Sequence, residues 1–202
     1  MLHLLHVESS PRKQRSASIE IAHAFIDAWK SKHSGATVDT LDVWNTALPE
    51  FDGEALGAKY AGIEGRERTP AERQVWTEIE ALAERFKRAD VIVFSVPMWN
   101  FGIPYRLKHL IDVVSQKDLL FTFDDRGLNG LLNGRKVVVI AARGAQLDRT
   151  EHQVSYMASW SEMVGIDEQH TVIVEKTLYG PEVDTQGRNA AKAEAVALAS
   201  TI

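Results

Sequence analysis

Two short runs, Val91–Val96 (VIVFSV) and Val137–Ala142 (VVVIAA), are apolar almost without a break. A strand with one wet face alternates apolar and polar side chains. A strand that is apolar at every position is covered on both faces. Both runs therefore belong in the interior of a parallel sheet with helices above and below it, which removes all-helical folds and single-sided antiparallel sheets from consideration.

Three further segments read as strands: Leu2–Val7, Thr37–Val43 and Thr171–Val174. Helical patterns lie between them. Ile19, Ala22, Ile26 and Trp29 recur at helical spacing, as do Val75, Ile79, Leu82 and Phe86. The second set follows Thr69-Pro70-Ala71-Glu72, a capping box with proline at the first helical position. Lys192 to Ala199 supplies a last, alanine-rich helix. The expected architecture is a doubly wound, five-stranded parallel sheet with helices on both faces, in the flavodoxin-like order 2-1-3-4-5, forming a single domain over residues 1–202.

Two stretches interrupt the alternation. Residues 51–68 are rich in glycine and charge, with a weak helical pattern over 53–60. Residues 117–134 place apolar FTF and LL segments around Asp-Asp-Arg-Gly and read as a hairpin-like excursion. No repeat or linker divides the chain.

Composition narrows the function classes. The 202 residues are 45% hydrophobic and 25% charged, as in a soluble globular protein. A net charge of −5 argues against nucleic acid as a partner. With no cysteine, disulfides, thiolate metal sites and cysteine nucleophiles are excluded. The N-terminus has no basic region and only a short apolar run, so a signal peptide is not expected, and no stretch approaches the ~20 apolar residues of a membrane span. The default location is cytoplasmic. The seven histidines are scattered without an HExxH or HxH pair, so no metal is expected; His3 and His6 fall in the first strand, on opposite faces by its period of two. GxSxG is absent, which leaves an α/β-hydrolase without support.

Open α/β sheets bind ligands beyond the carboxyl ends of their strands, where the strand order reverses. In the expected order, three loops meet there. Ser10–Ser18 (SPRKQRSAS) follows strand 1 and opens a helix with Ser16, Ala17 and Ser18 in its first turn. Helix N-termini offer unpaired N–H groups and partial positive charge to a phosphate; Ser10, Ser16 and Ser18 add hydroxyls, and Arg12, Lys13 and Arg15 add positive field. An ordinary N-cap would equally explain the serines. Neither GxGxxG nor GxxxxGK[ST] occurs, so the phosphate-bearing ligand reads as a mononucleotide such as FMN. Pro97, Met98, Trp99, Asn100 and Phe101 follow strand 3 and combine an apolar floor with one amide. Proline-bounded core packing is the plain alternative. Ala142, Arg143, Gly144 and Ala145 follow strand 4, where Gly144 permits close approach to a ring, or simply makes a turn.

SPRKQRSAS, PMWNFGIPYRLKHLID and GLLNGRKVVVIAARGA, with LYGPE at 178–182, together resemble the FMN-dependent NADH azoreductases, also called FMN-dependent NADH:quinone oxidoreductases, nearly end to end. The resemblance implies that Ser10 and Ser16–Ser18 hold the FMN phosphate, that Met98–Phe101 lie along the flavin ring and that Ala142–Ala145 close its remaining side. The family commonly carries serine-arginine-glycine-glycine in the last motif and tyrosine in PMYNF, where this chain has Ala142-Arg143-Gly144-Ala145 and Trp99.

The implied activity passes hydride from NADH through bound FMN to quinones and cleaves aromatic azo compounds reductively, donor and acceptor using one slot by a ping-pong mechanism. The cofactor carries that chemistry, so no catalytic side chain is nominated. Trp99, Phe121 and Phe123 are the expected walls of the substrate pocket. The resemblance also implies a homodimer in which Phe123 reaches the partner's flavin pocket. Two readings share the fold and remain open: a flavodoxin-type electron carrier and an NADPH-dependent FMN reductase.

Overall fold

The structure, a computed structural model, describes residues 1–125, 127–147 and 150–202. Seven strands occur among them. Five form one parallel sheet: β1 (His3–Glu8), β2 (Thr37–Asp42), β3 (Val91–Pro97), β6 (Lys136–Ala142) and β7 (Glu168–Val174), in the order β2-β1-β3-β6-β7. The remaining two, β4 (Phe121–Asp124) and β5 (Gly127–Gly130), pair antiparallel as a separate hairpin. With the hairpin strands counted in, the main sheet follows the expected order. The expected turn residue Arg126 lies outside the described residues.

The two apolar runs are buried for the reason their patterning gives. Ile92, Phe94, Val96, Val137, Val139 and Ala141 pack on one face, against the helices α3 (Pro70–Arg88), α4 (Tyr105–Val114) and α5 (Val154–Met163). Val91, Val93, Val138 and Ile140 face the other way, against α1 (Ala17–Lys32) and α6 (Pro181–Ala199). Successive side chains of a strand point to opposite faces, so a run with both faces covered takes a polar side chain only where a partner meets it, as His6 Nε2 meets Ser95 Oγ at 2.6 Å. Phe94 is wholly buried against Phe86 and Trp160, with ring centres 6.4 and 5.4 Å away. Truncation of such a side chain to alanine costs about 3–5 kcal/mol.

Thr69 caps α3 as its sequence requires: Glu72 N donates to Thr69 Oγ1 at 3.2 Å and Thr69 N donates to Glu72 Oε2 at 2.8 Å. The weak helical pattern at 53–60 extends into α2 (Gly53–Glu64), capped by Asp52 and ended by Gly65 at φ 72°. The last helix starts at Pro181, well before the alanine-rich stretch at 192. Its first turns are polar; Arg188 pairs with Asp184 one turn back on the same helix, while its pairing with Glu20 of α1 is tertiary and invisible to local patterning. Strand β7 also begins earlier than Thr171; it is an edge strand, so its polar residues 168–170 can remain exposed or half-buried. Among the described residues no helix is long and apolar enough to cross a membrane.

Candidate functional site

The parallel register brings the exits of β1, β3 and β6 to one level. Glu8 lies opposite Ser95, and Pro97 opposite Ala142. The chain is stitched across these exits beyond the strands: Ser9 N donates to Ser95 O at 3.2 Å, Met98 N to Ala142 O at 2.8 Å, and Arg143 N to Val174 O at 2.8 Å. The three loops singled out by sequence therefore meet. A cavity of about 160 Å³ lies between them, lined by Ser10, Ser16, Ala17, Pro97, Met98 and Ala142, and closed by Trp99, Gly144 and Leu178.

A short 3-10 turn, Lys13–Arg15, delivers Ser16 to the N-cap of α1. Ser16 Oγ accepts from Ile19 N at a long 3.5 Å and lies 3.2 Å from Ser18 Oγ. The hydroxyl at the cavity wall is thus weakly engaged, while Ser18, fully buried, stands behind it and orients it. The first N–H groups of a helix have no intrahelical acceptor, so α1 directs unpaired donors here. Ser10 Oγ accepts from Arg12 N at 3.4 Å, and Arg12 lines the cavity. Lys13 points away, its ammonium held between Glu8 and Asp42.

After β3, Trp99 and Gly102 exchange two backbone bonds, Trp99 N to Gly102 O at 2.9 Å and Gly102 N to Trp99 O at 3.0 Å. Asn100 and Phe101 between them have φ of 49° and 67°. Positive φ at both central residues is a type I′ turn, normally occupied by Asn-Gly. A phenylalanine there costs about 1–2 kcal/mol, strain of the kind that collects at ligand sites. The bond from His152 N to Phe101 O at 2.7 Å anchors the turn.

After β6, the side chain of Arg143 turns inward rather than toward the cavity. It donates to Gln153 Oε1 at 3.2 Å and pairs with Glu151 at 3.0 Å and Glu175 at 3.1 Å. Gln153 Nε2 then donates to Val96 O at 2.7 Å. This buried network holds the ends of β3 and β6 and the start of α5 in fixed relation. Ala142 and Gly144 present backbone to the cavity, while Ala145 is exposed.

Trp99 also lines a larger cleft of about 670 Å³, with Phe51, Asn100, Tyr105, His152 and Tyr156 among its walls. Trp44, Trp99 and Tyr105 form an aromatic cluster with ring centres 5.4 to 6.2 Å apart. Trp44 Nε1 donates to Ser9 O at 3.0 Å, tying that cluster to the serine loop. Burial, with the Asp112 carboxylate second, pushes the Tyr156 phenol up to about 12, so it remains a proton donor at neutral pH. A second pocket of about 360 Å³ shares Phe51, Asp112 and Tyr156 with this cleft and adds Phe121. Phe123 stands exposed on the hairpin, with Lys117 Nζ 5.2 Å from its ring centre.

The arrangement suits a flat, phosphate-bearing ligand. The serine hydroxyls and the start of α1 line the small cavity together with the apolar Met98 and Trp99, and the lack of a side chain at Gly144 lets Leu178 pack close, where a Cβ would lie 2.7 Å from its Cδ1. Those features fit FMN. Thr177, Leu178 and Arg188 also line the cavity, and local sequence gave no signal for Arg188, since α6 brings it from far along the chain.

A model of the flavodoxin-like fold family matches residues 2–199. The chain is 49% identical over 207 residues to FMN-dependent NADH:quinone oxidoreductase 2 of Pseudomonas syringae pv. tomato, covering 100% of this chain and 99% of that protein. It is 45% identical over 213 residues to FMN-dependent NADH:quinone oxidoreductase 9 of Burkholderia lata, covering all of both. Among solved structures, an azoreductase from Bacillus anthracis superposes with a TM-score of 0.91 at 25% identity, covering 100% of each chain.

Proposed function

From the premise that this chain belongs to the flavodoxin-like fold family and, within it, to the FMN-dependent NADH:quinone oxidoreductases, we propose that it oxidises NADH and reduces quinones and aromatic azo compounds through FMN held where the exits of β1, β3 and β6 converge. The observation that carries the reading is the junction itself: one cavity lined by the hydroxyl-bearing Ser10 and Ser16 and by the apolar Met98 and Trp99. FMN, when bound, supplies the redox centre that takes a hydride from NADH and passes two electrons to an acceptor.

Ser10, Ser16 and the N–H groups of Ala17 and Ser18 hold the phosphate, with Ser18 orienting Ser16. Pro97–Phe101 and the backbone of Ala142–Ala145 border the ring, and the strained turn at Asn100–Phe101 fixes the backbone donors at that border. Trp99, shared by cavity and cleft, places the flat substrates beside the cofactor. One slot serves both, so donor and acceptor take turns and the kinetics are ping-pong. Residues 1–202 act as one domain of a cytoplasmic homodimer, in which Phe121 and Phe123 wall the substrate pocket.

Purification in air followed by an absorption spectrum, then assay with NADH and benzoquinone, tests the reading. A yellow protein that turns over both substrates with parallel initial-rate lines is the expected result. Reduction by NADH without acceptor turnover would indicate a carrier, and turnover of freely exchanging FMN would indicate a flavin reductase.

A further inference from the structure

Behind the serine loop, on the α1 side of the sheet, His6, Glu8 and His23 converge. The two histidines approach the same carboxylate oxygen: His6 Nδ1 lies 3.9 Å and His23 Nε2 3.7 Å from Glu8 Oε1. One donor atom from each residue lies within 4.8 Å of the others. The two rings meet edge to face, with centres 5.6 Å apart.

We propose that His6, Glu8 and His23 form a site for a divalent transition metal of the zinc–nickel class, separate from the cofactor cavity. Two imidazoles and a carboxylate are the donor set such ions accept with a position left for water. Bonds of 2.0–2.1 Å place tetrahedral donors about 3.3 Å apart. Closing the two His–Glu8 separations to that value takes a movement of about half an ångström, and the two imidazole nitrogens, within 4.8 Å of one another, close by at most about 1.5 Å; the His23 side chain, 57% exposed, is free to make both.

The supporting shell is already in place. A metal at His6 Nδ1 requires the proton on Nε2, and Ser95 Oγ lies 2.6 Å from that nitrogen to accept it. Ser95 is itself fixed, since Ser9 Oγ donates to its carbonyl at 2.6 Å. His6 is 1% exposed, so its ring is held in place by the packing around it. The second oxygen of Glu8 accepts from Lys13 Nζ at 3.2 Å, and Lys13 also pairs with Asp42. One ammonium against two carboxylates leaves one negative charge for a cation to meet. Glu8 and His23 open on a cleft of about 400 Å³ lined also by Lys13, Gln14 and Glu20, where water can complete the coordination. Glu20 is occupied by Arg188 and Lys192 and stays outside the ligand set.

The site joins β1 to α1, the two elements that bracket the serine loop. A bound ion would clamp the base of that loop from behind, stabilising the folded state by mass action.

Untagged, FMN-loaded protein titrated with ZnCl2 and with NiCl2 in a calorimeter tests the site, with thermal unfolding as the second readout. The expected result is one ion per chain and a raised Tm. His23→Ala, on an exposed helical position, should abolish both effects. Ser95→Ala should weaken affinity roughly 10- to 100-fold by releasing His6. His170→Ala, at a histidine paired with Glu168 elsewhere on the sheet, should change neither. Absence of binding in the wild type, undiminished binding in His23→Ala or undiminished binding in Ser95→Ala would each overturn the assignment.

Discussion

Gly144 and Leu178 approach so closely that a Cβ on residue 144 would lie 2.7 Å from Leu178 Cδ1. The contact joins the exit of β6 to the loop after β7, and Leu178 N donates to Gly144 O at 3.1 Å beside it. Leu178 is 77% exposed and free to swing aside. Gly144→Ala should therefore fold with a Tm near that of the wild type while displacing Leu178 at the cavity it lines. Fluorescence titration should show weaker FMN binding. An unchanged Kd would remove this loop from the cofactor site.

The serines should not be equivalent. Ser16 faces the cavity and Ser18 stands behind it. A hydrogen bond to a charged group contributes about 1.5–3 kcal/mol, so Ser16→Ala should weaken FMN binding roughly ten- to a hundredfold. Ser18→Ala should cost less, because it removes only the group that orients Ser16. The opposite ranking would mean that the phosphate lies elsewhere.

Trp99→Ala should alter preference among quinones of different size more than FMN affinity, because Trp99 borders the open cleft as well as the cavity. Comparison of kcat/KM across small and large quinones is the check. An equal fall for every acceptor would reduce Trp99 to packing for Trp44 and Tyr105.

The legibility of this site in sequence follows the range of its contacts. Serines beside a helix start, the aromatic turn after Pro97 and the glycine after VVVIAA are local patterns, and each lies where a parallel sheet must expose it. Trp44 is different. It follows β2, and only the adjacency of β2 and β1 brings it to Ser9 and then to Trp99. Arg143 has the converse problem: its place in the motif suggested a ligand contact, but its guanidinium is committed to Glu151, Glu175 and Gln153, partners that sequence order does not reveal. The His6–Glu8–His23 cluster escaped a search for paired histidines because its members come from a strand and from the helix that returns over it.

Acid should probe the α3 cap. Hydrogen bonding from Arg66 first, and then from the Thr69 N–H, holds the Glu72 carboxyl down to about 2. An unfolded glutamate protonates near 4.5. The contribution of Glu72 is therefore fully present above that pH and is lost as pH falls from 4.5 through 2. The stability difference between wild type and Glu72→Gln, from denaturant unfolding, should be constant above pH 5 or so and shrink below it. A difference independent of pH would show that the charge plays no part.

The hairpin predicts assembly. Phe123 and Leu128, paired across the hairpin, are both exposed, as is Leu131 just beyond it, and exposed apolar patches on a folded protein often mark interfaces. Light scattering of the FMN-loaded protein should give twice the chain mass. Phe123→Ala should impair turnover while leaving FMN bound, because its proposed place is at the substrate pocket and not at the phosphate. A monomer at micromolar concentration would sink the dimer.

Gly130 closes that hairpin against the end of α5, where a Cβ would lie 2.0 Å from Gly165 N and 2.1 Å from Val164 C. Leu132 N donates to Val164 O at 2.8 Å in the same place. Main chain rests on main chain there, so the attachment tolerates no side chain and is indifferent to the identity of residues farther out. Phe123 and Leu128 can consequently change without disturbing the join, whereas Thr122 ties the hairpin to the preceding turn by donating to Asp118 Oδ1 at 2.8 Å. For an engineer the hairpin is a cartridge with a fixed socket: its outer strands can be redrafted while the sheet, the helices and the serine loop keep their sequence.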